Sequence, residues 1–364
     1  MHDDDTHDTE GAATPEPSSP MGGASPTSPP DPTSPPDPTS PPDPEPAPAR
    51  AAPVKALADR VREELQRAVV GQTETIDFVV AALLAGGHVL LEGVPGVAKT
   101  MVARLLARVV ELDYARIQFT PDLMPSDLLG TNVYDMREGE FRFQAGPIFS
   151  QVILIDEINR APAKTQAALF EVMEEGQVTT DGTTRPLTAP YIVLATQNPI
   201  DQEGTYRLPE AQLDRFLFKL EVGYPDLADE RAILRRFRND FRHTVERELR
   251  RVVSADDIVA ARRVVEEVHI EDALIDYIAE LTVATRRDPG MYLAASPRAS
   301  LSLLQGAKAL AAMAGRDYVI PEDIRRVSVP VLRHRLMLTP EREMEGGDLD
   351  ASIRDLIEET EVPR

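Results

Sequence analysis

The stretch 88–100, HVLLEGVPGVAKT, constrains the fold of this chain more than any other. The apolar run 88–92, closed by Gly93, predicts a short buried strand. Gly93-Val94-Pro95-Gly96-Val97-Ala98 then turns the chain, and Lys99-Thr100-Met101 opens the next segment. In that segment Val102, Leu105, Leu106 and Val109 recur at i, i+3, i+4 and i+7, the stripe of a buried helix. Strand, glycine loop, Lys-Thr and helix together predict a P-loop, whose amide hydrogens and helix N-terminus form a positive pocket for phosphates. Lys99 adds a point charge to that pocket, and the Thr100 hydroxyl suits an Mg²⁺ ion. Ala98 stands where the strict motif has glycine, and its small side chain still allows a close backbone approach.

A chain of 364 residues has room for two domains and a sizeable core. It contains no cysteine, which excludes disulfides, thiol catalysis and Cys-based zinc sites. The histidines at 2, 7, 88, 243, 269 and 334 show no metal-ligand spacing. The acidic first ten residues do not resemble a secretory n-region, and the most apolar window, 78–91, is too short to span a bilayer. A cytoplasmic protein is the expectation. The net charge of −22 makes nucleic acid an unfavoured partner.

Residues 1–50 form a region of their own, with 15 of the 32 prolines, ten acids and one base, and TSPPDP three times in succession between 27 and 44. Such a segment buries too little apolar surface to offset its ordering entropy, so it is expected to be a disordered tail with polyproline character. From 51 to 224, helical patterns (54–69, 73–84) alternate with strand patterns (88–92, 115–119, 152–156, 191–196, 216–220), which predicts an α/β domain with a parallel sheet. Glu138-Gly139 and Asp181-Gly182 mark hairpins at 132–143 and 177–187. After 224 the strand signals stop. Helical patterns at 227–252, 255–268, 272–286, 297–314 and 321–334 predict an all-helical second domain over 225–338. Residues 339–364 read as an acidic C-terminal tail with one helix at 350–359.

Three further stretches carry chemistry. Val152-Ile153-Leu154-Ile155 runs into Asp156-Glu157, and carboxylates at the C-terminal end of a buried strand stand where open α/β sheets bind ligands. There Asp156 suits the Mg²⁺ shell and Glu157 suits polarising an attacking water. Asn198, after the apolar strand ending in Ala195-Thr196-Gln197, offers both donor and acceptor to a γ-phosphate. Arg215, in LPEAQLDRF, and Arg298, in Ser296-Pro297-Arg298 at the start of a helix, are candidates for the cation that phosphoryl transfer needs, with Arg298 expected on the nucleotide side.

The set GVPGVAKT, LIDEINRAPAKTQAALFEVMEEGQV, LATQNPIDQEGTYRLPEAQLDRF, ASPRA and YVIPEDI resembles the MoxR family of AAA+ ATPases over residues 54–338. The resemblance implies a five-stranded parallel αβα domain with a helical lid, and hairpin insertions of the helix-two-insert clade. It implies hexameric rings with ATP at subunit boundaries. By the family's motifs Lys99 and Thr100 belong to Walker A, Asp156 and Glu157 to Walker B, Asn198 is sensor one, Arg215 the arginine finger and Arg298 sensor two. Val70-Gly71-Gln72 would border the adenine. Family members act as chaperones that mature client complexes, often with a partner carrying a von Willebrand A domain. The expected activity is therefore Mg²⁺-dependent ATP hydrolysis coupled to remodelling of a protein client. A nucleotide-gated scaffold, a nucleic-acid motor and a chelatase-type metal-insertion subunit are the alternatives.

Deleting residues 1–50 is expected to leave melting temperature and basal turnover nearly unchanged, since a Pro-rich acidic segment contributes no core. A fall of several degrees in a thermal melt would show instead that the segment is packed.

Overall fold

Strands rich in Val, Ile and Leu on both faces are stable only between two layers, and that requirement organises the molecule. The computed structural model describes residues 49–94, 96–97, 99–199, 206, 208–239 and 248–363. The Pro-rich region, up to residue 48, therefore lies outside the described residues, as do Pro95 and Ala98. Two helices, α1 (Ala52–Gln66) and α2 (Thr73–Ala85), precede β1 (Val89–Glu92) and α3 (Lys99–Val109). Then follow β2 (Tyr114–Gln118), α4 (Pro125–Leu129), the hairpin β3 (Gly130–Asp135) and β4 (Glu140–Ala145), β5 (Val152–Asp156) and α5 (Ala163–Glu175). The hairpin β6 (Gln177–Thr180) and β7 (Thr183–Pro186), β8 (Ile192–Gln197), α6 (Glu210–Leu213), β9 (Phe218–Glu221) and α7 (Leu227–Phe237) come next.

Five strands form one parallel sheet in the order β2-β5-β8-β1-β9. Side chains alternate between its faces. Val152, Leu154, Ile192 and Leu194 join the core made with α1, α2 and α3. Ile153, Ile155, Val193 and Ala195 join a second core with Leu169, Phe170 and Phe216. The register sets Gln118 beside Asp156 and Glu92 beside Gln197, so polar residues collect along one rim, at the C-terminal ends of the strands.

The chain continues with α8 (Ala255–Glu267), α9 (Asp272–Arg287), β10 (Met291–Leu293), α10 (Pro297–Met313), α11 (Pro321–Leu332), β11 (Met337–Leu338), α12 (Pro340–Met344) and α13 (Leu349–Glu359). Helix α10 packs on α11 and α2, joining this part to the sheet layer. Three expectations need correction. The second part is not wholly helical, because Met291–Leu293 pairs antiparallel with Met337–Leu338. Strands of two or three residues carry no readable period, and this pairing spans more than forty residues of sequence. The helix expected over 227–252 ends at Phe237, and the chain is already non-helical from Leu249. There Arg250 N–H donates to Glu64 Oε1 at 2.7 Å and Val252 N–H to Val109 O at 2.9 Å, so the backbone bonds across to other elements. Finally, residues 339–364 are not a free tail: Ile353, Leu356 and Ile357 are buried and α13 packs on α11 and α9.

His88, just before β1, ties three elements together. The Val193 amide donates to its Nδ1 at 3.1 Å, which leaves the proton on Nε2, within 3.1 Å of Met173 O. Burial, with Arg262 nearby, lowers its pKa from 6.5 to about 4 against the pull of the Met173 carbonyl. The folded chain thus holds this histidine neutral, while the unfolded chain takes up a proton below about pH 6.5. Its contribution to stability is complete above that pH and is lost as pH falls toward 4. At about 1.4 kcal/mol per pKa unit the loss is on the order of 3 kcal/mol. Buried His334, whose pKa is also lowered by burial, adds in the same direction. Denaturant unfolding between pH 7 and 4 should show this decline, with a shallower slope in His88→Gln; an unchanged slope would exclude His88 as its source.

Candidate functional site

At the C-terminal rim of the sheet lies a cleft of about 440 Å³. It is lined by the turn after β1 (Gly96, Val97), the start of α3 (Lys99, Thr100, Met101, Arg104) and the ends of three strands (Arg116, Gln118, Asp156, Glu157, Thr196, Gln197, Asn198). The turn is possible because two positions suit glycine alone. A Cβ on Gly93 would stand 2.3 Å from Val222 O, and Gly96 has φ +88°. Lys99 folds back so that its ammonium donates to Gly93 O and, at 3.4 Å, to Gln197 O. Burial lowers the Lys99 pKa, and Asp156, Glu92 and Glu157 pull it back up.

Asp156 is buried at the end of the central strand. Its Oδ1 accepts from Thr196 Oγ1 at 3.1 Å and from Thr100 Oγ1 at 3.3 Å, and its Oδ2 from Arg116 Nε at 2.6 Å. Glu157, which lines the cleft, adopts a left-handed backbone, φ 57°, which costs a non-glycine residue about 1 kcal/mol. Its amide donates to Thr196 Oγ1 at 3.0 Å, and Gln118 Nε2 donates to its Oε2 at 2.7 Å. The Thr196 hydroxyl therefore links both carboxylate residues to β8.

Lys99, Thr100, Met101, Gly96, Val97, Asp156, Glu157 and Asn198 thus line one cleft. Gly93 joins it through its carbonyl, and Val94 packs against the core. Val70, Gly71 and Gln72 do not line the cleft. They form the α1–α2 turn facing α7, where a Cβ on Gly71 would stand 2.4 Å from Asp229 Oδ2. Sequence reasoning misses five cleft residues: Arg104, Arg116, Gln118, Thr196 and Gln197. A period-two signal for Arg116 and Gln118 is present, since they alternate with buried Ile117 along β2.

The Thr100 hydroxyl and Asp156 carboxylate are hard oxygen donors in mutual contact, the donor type Mg²⁺ takes when phosphates and water complete its shell. Among the described residues no cluster of three His, Cys, Asp or Glu could hold a metal ion by itself.

Arg215 and Arg298 are elsewhere. Both reach Glu174 at the end of α5: Arg215 Nη2 stands 2.8 Å from Oε2 and Arg298 Nη2 2.6 Å from Oε1. They line a groove of about 250 Å³ with Gly86, Gly87 and His88, at the N-terminal end of β1, whereas the cleft lies past its C-terminal end. Four residues of strand alone separate these ends by roughly 13 Å. Arg298, expected on the nucleotide side, thus lies away from the cleft of its own chain, and Ser296 Oγ, at the start of its helix, donates to Asp214 Oδ2 at 3.1 Å.

Comparison with known proteins gives the family. Residues 88–218 match the family described as ATPase family associated with various cellular activities (AAA), and residues 283–357 match the AAA lid domain. The chain is 46% identical to the uncharacterized protein YeaC of Bacillus subtilis, over 84% of this chain and 95% of that one. It is 46% identical to Chaperone MoxR1 of Mycobacterium tuberculosis, over 79% and 78% of the two chains. A crystal structure from Cytophaga hutchinsonii superposes with a TM-score of 0.79 at 42% identity, covering 86% of this chain and 97% of that one. With a five-stranded parallel sheet, a P-loop strand and a helical lid, the chain belongs to the MoxR family of AAA+ ATPases.

Proposed function

We propose that this chain hydrolyses ATP with Mg²⁺ and uses the cycle to remodel or mature a protein client. The observation that carries the reading is the meeting of Lys99, Thr100, Asp156, Glu157 and Asn198 in one cleft at the strand ends. In this reading the sheet domain holds the nucleotide and the helical part from 225 onward is its lid. Lys99 balances phosphate charge, and Asn198 hydrogen-bonds the γ-phosphate or the lytic water. Thr100 and Asp156 would hold Mg²⁺, which when bound neutralises charge on the β- and γ-phosphates. Glu157 orients water and takes its proton, with Gln118 fixing the carboxylate.

Arg215 and Arg298 line a groove away from the cleft of their own chain, which supports an assembly in which they meet ATP on a neighbour, as in the hexameric ring the family resemblance implies.

Support for a protein client comes from the two hairpins and from a relative's name, since MoxR1 is a chaperone. Asn132 donates to Asp181 Oδ2 at 2.6 Å and Arg185 lies 3.8 Å over the Phe143 ring, so the hairpins brace each other. The β3–β4 hairpin exposes Tyr134, Met136 and Phe141, an apolar edge of the kind that binds protein. A von Willebrand A domain protein is the companion we expect.

Glu157→Gln is expected to keep ATP affinity while turnover falls about 100-fold or more, because the amide cannot take the proton of water. Lys99→Ala should lose ATP binding itself. Equilibrium binding and phosphate release on both variants check this; normal hydrolysis by Glu157→Gln would exclude Glu157 as the base.

A further inference from the structure

The turn that carries Arg215 is bonded more to the lid than to the sheet. Arg335, in the turn after α11, has a side chain only 2% exposed. Its Nε donates to Asp214 Oδ1 at 2.6 Å, and its Nη2 to Phe216 O at 2.7 Å, Asp214 O at 3.0 Å and Ser302 Oγ at 3.0 Å. Its Nη1 donates to Leu217 O at 3.3 Å and to Val331 O of α11. One planar guanidinium therefore bonds residues on both sides of Arg215, Asp214 before it and Phe216 and Leu217 after it. Next to it, His334 Nε2 lies 2.9 Å from the same Phe216 carbonyl. From the other side, the Ser296 hydroxyl at the start of α10 bonds the second oxygen of Asp214, two residues before Arg298. Asp214 is thus the node at which α10, the end of α11 and the Arg215 turn meet.

Burying a guanidinium is costly, and burial here lowers the Arg335 pKa to about 10, with Asp214 opposing the shift. The group remains a cation at neutral pH. Apolar residues of similar volume often stabilise a core as well as a buried ion pair does. What they lack is the fixed fork of donors that reads several acceptors at once and so sets one geometry. The arrangement therefore matters for where the 214–217 turn sits relative to the lid.

We propose that Arg335, acting through Asp214 and the carbonyls of Phe216 and Leu217, is a positioning residue for Arg215. It ties the turn bearing that arginine to the lid, so that a shift of the lid moves the arginine offered to the adjacent subunit. The proposal rests on the reading that Arg215 serves ATP held by a neighbouring chain.

Subunit mixing of the full-length protein separates the two ideas. Each boundary uses Glu157 from one chain and Arg215 from the next. In a random equal mixture of Glu157→Gln and Arg215→Ala chains, about a quarter of boundaries would be competent. Arg335→Lys keeps the charge but loses the fork. It should bind ATP at its own P-loop as the wild type does and turn over about 10- to 100-fold more slowly, as for a misplaced group. Mixed with Glu157→Gln it should regain activity; mixed with Arg215→Ala it should not, because both chains then lack a placed arginine. Because changing a buried cation can unfold the chain, Asp214→Asn and Ser296→Ala go through the same mixtures, with ATP binding as the test of folding. Recovery with both partners, or with neither while the Glu157→Gln and Arg215→Ala pair recovers, overturns the positioning role. Undiminished turnover of Arg335→Lys and Asp214→Asn alone does the same. Failure of the Glu157→Gln and Arg215→Ala pair, with exchange confirmed, overturns the neighbour reading and this proposal with it.

Discussion

A parallel strand buried on both faces can present polar groups only at its ends, and the rest of this molecule follows from that constraint. All five residues of β5 are buried, Asp156 included, and its neighbours in register end alongside it. A carboxylate in that position is tolerable only with several partners. Thr100, Arg116 and Thr196 supply them, each from a different element. Thr196 also accepts the Glu157 amide, which lets the chain leave the strand in a left-handed turn with a defined exit direction. The hydroxyl of one threonine on β8 therefore sets the relation between the two acids.

The charges of the cleft are arranged so that each already has a bond. Lys99 rests on the carbonyls of Gly93 and Gln197, Arg116 on Asp156, and Gln118 on Glu157. A polyphosphate entering there exchanges carbonyl contacts of Lys99 for phosphate contacts, and little side-chain ordering remains to be done. The side chains are preorganised by their own hydrogen bonds, the condition under which electrostatic stabilisation of a transition state is strongest.

Most of this was legible in the sequence, for reasons that can be named. The run Val152–Asp156 reads as a strand because four consecutive apolar residues, two of them isoleucine and one valine, end at two acids within the length of a strand. Asp181-Gly182 and Glu138-Gly139 turn their hairpins because glycine takes the positive φ these turns require. What sequence reasoning missed depends on partners far away in the chain. The β10–β11 pair has no local signature. The burial of α13 was outweighed by the acids around it, although Leu349, Ile353, Leu356 and Ile357 fall on one helical stripe. The place of Arg298 depends on Asp214 and Glu174, more than eighty residues away, and no spacing rule reports such a contact.

The two arginines at the far end of β1 are held in unequal ways, and the inequality suits a group that must reach another molecule. Their tips share Glu174, and all three side chains are between 28% and 42% exposed. Exposed ion pairs of this kind contribute about 0–1 kcal/mol, so an incoming anion displaces them at little cost. The backbone beneath Arg215 is held by Arg335, buried and bonded at every nitrogen, and breaking one partner of such a pair costs about 3–5 kcal/mol. The base of the arginine is therefore fixed to the lid while its tip is free to change partners. A side chain held firmly at both points could not release Glu174, and one loose at both would lose its geometry when the lid moves.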